Sequence, residues 1–259
     1  GGGPAAIALL VRRMGPWRWA SHPPLLPESP LVVPDASVPA LPERLLEAIS
    51  RRYARVDLHL PPGWTDVRPA LWRGWRAHPL YTYEIDLEQT SPAHWSENPR
   101  RLFRKAAASY RLIEDARLAP TLARLVAAGY RRHRRPPPAS AERLAALLEA
   151  LARAGPVRIF GVQHASGETE AAVALMVAPP RAWYWLAGSM PGPAMTVLLG
   201  HLWPRLREEG FRRFDFVGAN TPSIAEFKRR FNPTLRLYFR LTCDRSPLQT
   251  LLRHMPGLR

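Results

Sequence analysis

The order of the apolar segments between residues 110 and 242 constrains the fold of this chain more than any other feature of its sequence. Segments whose apolar residues recur every three to four positions predict helices, and short alternating or continuous apolar segments predict strands. By these rules the segments run strand, two helices, three strands, helix, strand, helix, strand. This order predicts an α/β fold of the α+β kind, with a mixed, mostly antiparallel sheet flanked by helices.

The last helix of this order has a clear start signal. Pro222 suits its first turn, because proline lacks the N–H group that a helix start leaves unpaired. Ile224, Phe227 and Phe231 then recur at helical spacing. We therefore predict that these three side chains face the core. Lys228 follows Phe227 directly and is predicted to lie near the helix edge, facing a cleft or solvent.

The first third of the chain repeats the second half of this order. Strand, strand, helix, strand, helix, strand fits Ala5–Leu87, and Val56-Asp57-Leu58 corresponds to Phe214-Asp215-Phe216. The repetition predicts two related modules, the first of which lacks the opening elements. The predicted boundaries are residues 1–88 for the incomplete N-terminal module, 89–245 for the second module and 246–259 for an amphipathic tail.

Composition narrows the possible classes of protein. A chain of 259 residues that is 46% hydrophobic can build one large core or two smaller ones. No uninterrupted apolar run approaches the roughly 18 residues of a membrane-spanning helix. The net charge of +16 favours polyanionic ligands such as tRNA, nucleotide-linked substrates, CoA phosphates or anionic lipid. The high arginine and proline content also fits a GC-rich or thermophilic composition, so charge alone leaves the ligand open.

Cysteine and histidine usage indicates the compartment and the cofactors. The single cysteine, Cys243, cannot form an internal disulfide, and a zinc site needs several ligands. We predict a buried structural thiol and a reducing, bacterial cytoplasmic setting. The eight histidines have no metal-ligand spacing, so no metal is expected.

Two motifs resemble a known family. The segment Phe214–Gly218 followed by Pro222–Phe231 resembles the closing motif of the Fem-like transferases, which have the GNAT fold. That motif has an aspartate-bearing strand, a glycine, then Phe-Lys and a second Phe-Gly. Here Asn232 stands where the final glycine is usual. The segment Asn98–Lys105 is similar to the basic helix that opens the family's second module.

The resemblance implies roles for two residues. In the family, the lysine of the Phe-Lys motif stabilises the oxyanion that forms when an amine attacks a carbonyl, and this position is Lys228 here. Asp215 would orient or deprotonate the amine, or serve as a structural carboxylate. Lys228 and Lys105 are the only lysines of the chain, and both fall inside the family motifs. Lysine is a compact, titratable point charge that arginine does not replace.

The family's donor loop corresponds to residues 189–194. GNAT enzymes bind the pyrophosphate of CoA with backbone N–H groups at a helix start, using the pattern Gln/Arg-x-x-Gly-x-Gly/Ala. Gly192 and Ala194 fit this pattern, Ser189 replaces the usual Gln or Arg, and Pro193 removes one donor. Together with Met190, these positions form the predicted cofactor-binding set.

Further substrate-binding candidates follow from position. One of two adjacent aromatic residues on the strand before the donor loop should face the cleft, and the end of the first helix is where Fem-like enzymes hold acceptor phosphates. The predicted substrate-binding residues are Tyr184, Trp185, Tyr130, Arg131, Arg134, Asn220 and Lys105.

The resulting functional hypothesis is direct N-acyl transfer from acyl-CoA to a small-molecule or nucleotide-linked amine, driven by positioning and oxyanion stabilisation. One alternative is an aminoacyl-tRNA donor with a cell-wall precursor or peptide as acceptor. A second is a non-catalytic RNA- or envelope-binding protein with the same fold. Peripheral contact with a membrane stays open.

Overall fold

The computed structural model describes residues 5–32 and 43–245. The predicted tail at residues 246–259 lies outside these. The helices are α1 Glu43–Arg52, α2 Arg68–Leu71, α3 Glu97–Ala106, α4 Ala119–Arg132, α5 Ala141–Ala154, α6 Ala194–Glu208 and α7 Pro222–Arg229. The strands are β1 Ala6–Ile7, β2 Leu10–Met14, β3 Trp17–Ser21, β4 Leu31–Val32, β5 Arg55–His59, β6 Arg76–Asp86, β7 Tyr110–Glu114, β8 Val157–His164, β9 Thr169–Ala178, β10 Arg181–Ser189, β11 Arg213–Asp215 and β12 Thr234–Asp244.

The chain forms two compact units. One contains the residues up to Thr82 together with those from Arg236 onward, and the other is Tyr83–Leu235. The units therefore divide the chain within β6 and within β12. The module boundaries at residues 88 and 245 stay a prediction.

The second unit contains a mixed sheet with the strand order β6-β11-β10-β9-β8-β7. Its neighbouring strands are antiparallel except for β10 and β11, which are parallel. One core contains α6 and the inner face of α3, and a second core contains α4 and α5. The predicted mixed, mostly antiparallel sheet flanked by helices is confirmed.

Two glycines permit close approach of helices in this unit. A Cβ atom on Gly188 of β10 would lie 2.5 Å from the backbone of Leu125 and Val126, so α4 rests directly on the strand. A Cβ atom on Gly200 of α6 would overlap the ring of Phe103 of α3. Both positions lack the space that any larger residue needs.

The first unit contains a smaller sheet. Its strand β2 pairs antiparallel with β3, β3 pairs parallel with β5, and β5 pairs antiparallel with β12. Helix α1 contributes Leu46 and Ile49 to a core that also contains Val56 and Leu241. Cys243 is buried there, as predicted.

The pairing in the two units follows one pattern. In the second unit, β9 pairs antiparallel with β10, β10 parallel with β11, and β11 antiparallel with β6. The repeated element order seen in the sequence therefore has a structural counterpart. The fourth strand of each pattern comes from the other half of the chain, because β12 pairs with β5 and β6 pairs with β11.

Most helix predictions agree with these bounds, but one predicted core position is wrong. Ile224 is 41% exposed, whereas Phe231 is buried and Phe227 is packed against the core. The reason is that Ile224 lies in the first turn of α7, and the packed side chains belong to its last turn and the residues beyond. Among the described residues, no helix has the length and apolarity needed to span a bilayer.

Candidate functional site

The two parallel strands of the second unit separate after three residue pairs. Arg181, Ala182 and Trp183 of β10 are opposite Arg213, Phe214 and Asp215 of β11. Beyond this point β11 ends, while β10 continues to Ser189 with an irregular register against β9 between Tyr184 and Leu186. Crevices at the carboxyl ends of diverging strands are common ligand sites in α/β folds.

The backbone turns sharply where β11 ends. Val217 has a φ of 54° and Gly218 a φ of 80°, both in the left-handed region. A β-branched residue is rarely found there, because its Cβ crowds the following carbonyl, and such strain is often concentrated at functional sites. The carboxylate of Asp215 accepts a hydrogen bond of 2.8 Å from the Val217 N–H and so stabilises the turn.

Lys228 of α7 binds the carbonyl groups of this turn. Its Nζ donates hydrogen bonds to the oxygens of Phe216 at 2.7 Å, Val217 at 3.1 Å and Gly218 at 2.6 Å. An ammonium group has three donors, so all of them are used. Lys228 is only 4% exposed, which corrects the predicted place near the helix edge. The carbonyls of the turn provide the polar environment that a buried lysine requires.

Burial and charge act in opposite directions on this lysine. Burial lowers the pKa of Lys228 to about 8, while the negative charge of Asp215 raises it. The group is therefore still mainly cationic at neutral pH. A positive charge is held at the carboxyl end of β11, beside a buried carboxylate.

Tyr184 links this cation to the start of α6. Its hydroxyl donates to the sulfur of Met195 at 3.2 Å, and the centre of its ring lies 5.8 Å from the Lys228 Nζ. Burial raises the pKa of Tyr184, so the phenol stays protonated and can act as a hydrogen-bond donor. The structure thus brings together three of the predicted site residues, namely Lys228, Asp215 and Tyr184.

The neighbouring aromatic residue faces the other way. Trp185 packs against the core formed with α4 and α5, as Tyr130 also does. Side chains alternate between the faces of a strand, so only one of Tyr184 and Trp185 can belong to the group around Lys228. A role in substrate binding for Trp185 and Tyr130 stays a prediction.

The predicted donor loop connects β10 to α6. Met190 is exposed and Gly192 has a φ of 136°, a conformation that favours glycine. The N–H of Val197 donates to the carbonyl of Pro193, so the N–H groups of residues 194–196 precede the first intrahelical bond. Unpaired N–H groups at the start of a 15-residue helix suit an anion.

The contact of Arg132 and one partly buried ion pair were missed by the sequence analysis. Arg132 donates to the carbonyl of Ser189 at 2.8 Å and so contacts the donor loop from α4. Glu84 of β6 is buried and pairs with Arg181 of β10 at 2.7 Å, across the intervening β11. Sequence gives no signal for these contacts beyond the charges, because the partners are far apart along the chain.

The remaining candidates lie on the surface. Arg100, Arg104 and Lys105 of α3 are exposed, as are Arg131 and Arg134 at the end of α4. None of these five has a carboxylate partner within the described part of the chain, whereas Arg158 binds both Glu114 and Glu209. Asn220 is exposed in the loop before α7. Lys105 is not among the contacts of Lys228.

Asn232 replaces the glycine that usually ends the family motif. It follows α7 with a φ of 56°, in the left-handed region. Glycine adopts this conformation most easily after a helix, and asparagine is the usual second choice. The replacement of the family's glycine therefore keeps the backbone geometry.

A mixed sheet with one parallel pair that separates beside a helix start defines an acyltransferase fold of the GNAT type. Residues 96–229 match the family described as Acetyltransferase (GNAT) domain. This match spans just over half of the chain, and the chain belongs to that family. It is an acyltransferase, and the alternative of a non-catalytic binding protein is set aside.

Solved structures with the same fold are found among Fem-like and related proteins. FemX has a TM-score of 0.70 and 12% identity, over 96% of this chain and 86% of FemX. L-PGS from Bacillus licheniformis has a TM-score of 0.65 and 14% identity, over 94% of this chain and 83% of that chain. A C-terminal domain attributed to lysylphosphatidylglycerol synthetase of Agrobacterium fabrum has a TM-score of 0.62 and 16% identity, over 95% and 82%. No curated protein matches the chain.

Proposed function

We propose that this protein transfers an acyl group from acyl-CoA to the amine of a small-molecule or nucleotide-linked acceptor, in the cleft between the separated ends of β10 and β11. One observation carries the proposal. The contact between Tyr184 and Met195 joins the start of α6 to the group formed by Lys228, Asp215 and the turn after β11. On this proposal, an anion-binding helix start and a fixed positive charge would lie at one end of the same cleft.

The donor end of the site would be the loop at residues 189–194. The N–H groups of Ala194, Met195 and Thr196 would bind the pyrophosphate of CoA, supported by the positive end of the helix dipole. Met190 of the same loop is exposed. When bound, acyl-CoA would supply the thioester whose carbonyl carbon is attacked.

The acceptor amine would attack that carbonyl carbon without a covalent enzyme intermediate. A bond forms between the amine nitrogen and the carbonyl carbon, the bond from that carbon to sulfur breaks as the thiolate leaves, and the thiolate takes up the proton that the amine loses. Tyr184, which stays protonated, would redirect its one O–H donor from the Met195 sulfur to a developing negative charge. Lys228 would stabilise the same negative charge electrostatically and would hold the turn after β11 in place. Asp215 would position this turn, and through it Lys228, by its hydrogen bond from the Val217 N–H.

Thermal stabilisation by CoA tests the donor site. We expect CoA to raise the melting temperature of the wild-type protein at low and at high salt. Met190→Glu places a negative charge beside the helix start and should reduce this shift, whereas the neutral Met190→Gln should keep it. An equal response of the two variants would argue against an anion site at this loop, and no shift in the wild type would argue against CoA as donor.

A second candidate donor is aminoacyl-tRNA, with a cell-wall precursor or peptide as acceptor. The unpaired cations of α3 and of the end of α4 favour it, because such clusters bind a polyanion. Charged tRNA should then stabilise the protein strongly at low salt and weakly at high salt. Stabilisation by charged tRNA alone, with none by CoA, would replace the first proposal. For either donor we infer a bacterial cytoplasmic setting, which the single buried cysteine supports.

A further inference from the structure

The hairpin formed by β2 and β3 in the first unit exposes both apolar and cationic side chains. Met14 is 46% exposed and Trp17 is 44% exposed, on either side of the turn at Gly15 and Pro16. Exposed tryptophan is unusual, because its burial removes a large apolar surface from water. The tip of this hairpin therefore presents an apolar pair with no covering contact among the described residues.

The strand register arranges charge around this apolar pair. Met14 is directly opposite Trp17, and the next pair along the hairpin is Arg13 with Arg18. Successive side chains point to opposite faces, so Arg13 and Arg18 lie on one face while Met14, Trp17 and Arg12 lie on the other. Guanidinium groups thus flank the apolar tip on both faces of the hairpin.

These arginines are not neutralised by acidic side chains. None of Arg12, Arg13 and Arg18 has a carboxylate partner among residues 5–32 and 43–245. Other arginines of the same unit are paired, for example Arg73 with Glu43 and Arg240 with Asp57. Residues 10–21 contain no acidic residue.

Protection of a sheet edge explains only part of this arrangement. The strand β2 is at the end of the strand order, and charged residues on an edge strand oppose unwanted pairing. That function accounts for Arg12 and Arg13. It does not account for Met14 and Trp17, which would promote association rather than prevent it.

We propose that this hairpin docks onto the surface of an anionic phospholipid bilayer. Trp17 and Met14 would enter the headgroup region, where tryptophan is favoured, and Arg12, Arg13 and Arg18 would contact lipid phosphates. The apolar tip is too small for a standard protein–protein interface, but it suits shallow insertion assisted by charge. The residues of this docking surface belong to the first unit, whereas the residues proposed for acyl transfer belong to the second.

Vesicle co-sedimentation of the full chain tests the docking surface. Vesicles of equal parts phosphatidylglycerol and phosphatidylcholine should bind the protein at about 0.1 M salt, and vesicles of phosphatidylcholine alone should not. Arg12→Gln and Arg13→Gln should each weaken binding roughly fivefold. The double variant Met14→Ser/Trp17→Ser should bind at least tenfold more weakly. Trp72→Ser is the matched control, because Trp72 is 71% exposed in the same unit but outside the hairpin.

Absence of binding to the anionic vesicles would overturn the proposal, as would full binding by Met14→Ser/Trp17→Ser or an equal loss in Trp72→Ser. If the hairpin variants weakened binding to tRNA while no vesicles bound, the surface would belong to a nucleic acid instead. Brominated lipids should quench the fluorescence of the wild type more than that of Trp17→Phe, which keeps an aromatic tip. Every variant should retain its melting temperature and its response to CoA, which separates this proposal from the acyl-transfer proposal.

Discussion

At the scale of single residues, Lys228 is not the free cation that a catalytic role alone would suggest. Its three donors are used by the carbonyls of the turn after β11, which include that of the strained Val217. A buried lysine with satisfied donors both holds backbone geometry and carries charge. Any contribution to catalysis would therefore act through a fixed position rather than through a mobile side chain.

Replacement of Lys228 should reveal the structural part of this role. Lys228→Met removes the three hydrogen bonds to the turn after β11, and we expect the free energy of unfolding to fall by about 3 kcal/mol. Lys105→Met, at the only other lysine and on the surface, should change it by less than about 0.5 kcal/mol. Urea denaturation measures both values. Equal stability of the two variants would mean that the hydrogen bonds to the turn contribute nothing.

A histidine pair in the first unit makes stability depend on pH. The rings of His22 and His59 are stacked at 4.2 Å, and burial followed by the charge of His22 lowers the pKa of His59 to about 4. Asp57 acts in the opposite direction. Burial also lowers the pKa of His22. These groups are held neutral in the folded state.

The lowered pKa values of His22 and His59 determine how the unfolding free energy changes with pH. The unfolded chain binds protons on these imidazoles below about pH 6.5, while the folded chain does not bind one on His59 until pH approaches 4. The unfolding free energy should therefore fall as pH is lowered from about 6.5 to 4. His59→Gln should flatten this part of the curve. A slope identical to that of the wild type would show that other groups control acid sensitivity.

At the scale of elements, the contact between α4 and β10 depends on Gly188, because a glycine has no side chain to hold the helix away. Gly188→Ala would force the helix away from the strand, since the added Cβ meets backbone atoms that cannot rotate aside. We expect a loss of about 2 kcal/mol or more in unfolding free energy. The same helix offers a control at Gly129, where an added Cβ comes no closer than 3.8 Å to the Arg132 side chain.

Gly129→Ala should stabilise the protein by up to about 1 kcal/mol, because alanine has the higher helix propensity. Opposite signs for the two glycine-to-alanine changes, measured by thermal or urea denaturation, would support the close packing of α4 on β10. Two small effects of the same sign would contradict it.

At the scale of the whole molecule, the pairing of β6 with β11 and of β12 with β5 decides which fragments can fold. A fragment of residues 83–235 contains every strand segment of the second sheet, including the part of β6 that pairs with β11. A fragment of residues 89–245 lacks that segment and leaves β11 without an antiparallel neighbour. We expect the first fragment to unfold cooperatively and the second to be markedly less stable.

Circular dichroism and thermal melting of the two fragments test this expectation. A fragment of residues 1–82 should be unfolded, because β5 loses its pairing with β12. If residues 89–245 proved the more stable fragment, the boundary predicted from the sequence would be preferred to the compact units.

The sequence by itself determined the elements and their order. Helical and strand periodicity are local properties, so the segments from Tyr110 to Thr242, the buried Cys243 and the repeat of Val56–Leu58 in Phe214–Phe216 could be found without a structure. It also identified Asp215 and Lys228 through a motif, although not what either side chain contacts.

Only the tertiary structure decided where those residues lie. The burial of Lys228 depends on carbonyls turned toward it by the left-handed Val217, ten or more positions earlier in the chain. Tyr184 rather than Trp185 joins the site because the pairing of β10 decides which face each residue occupies. The pairing of β6 with β11 and of β12 with β5 likewise joins segments that are distant along the chain. Such contacts depend on the packing of the whole chain, and no local pattern records them.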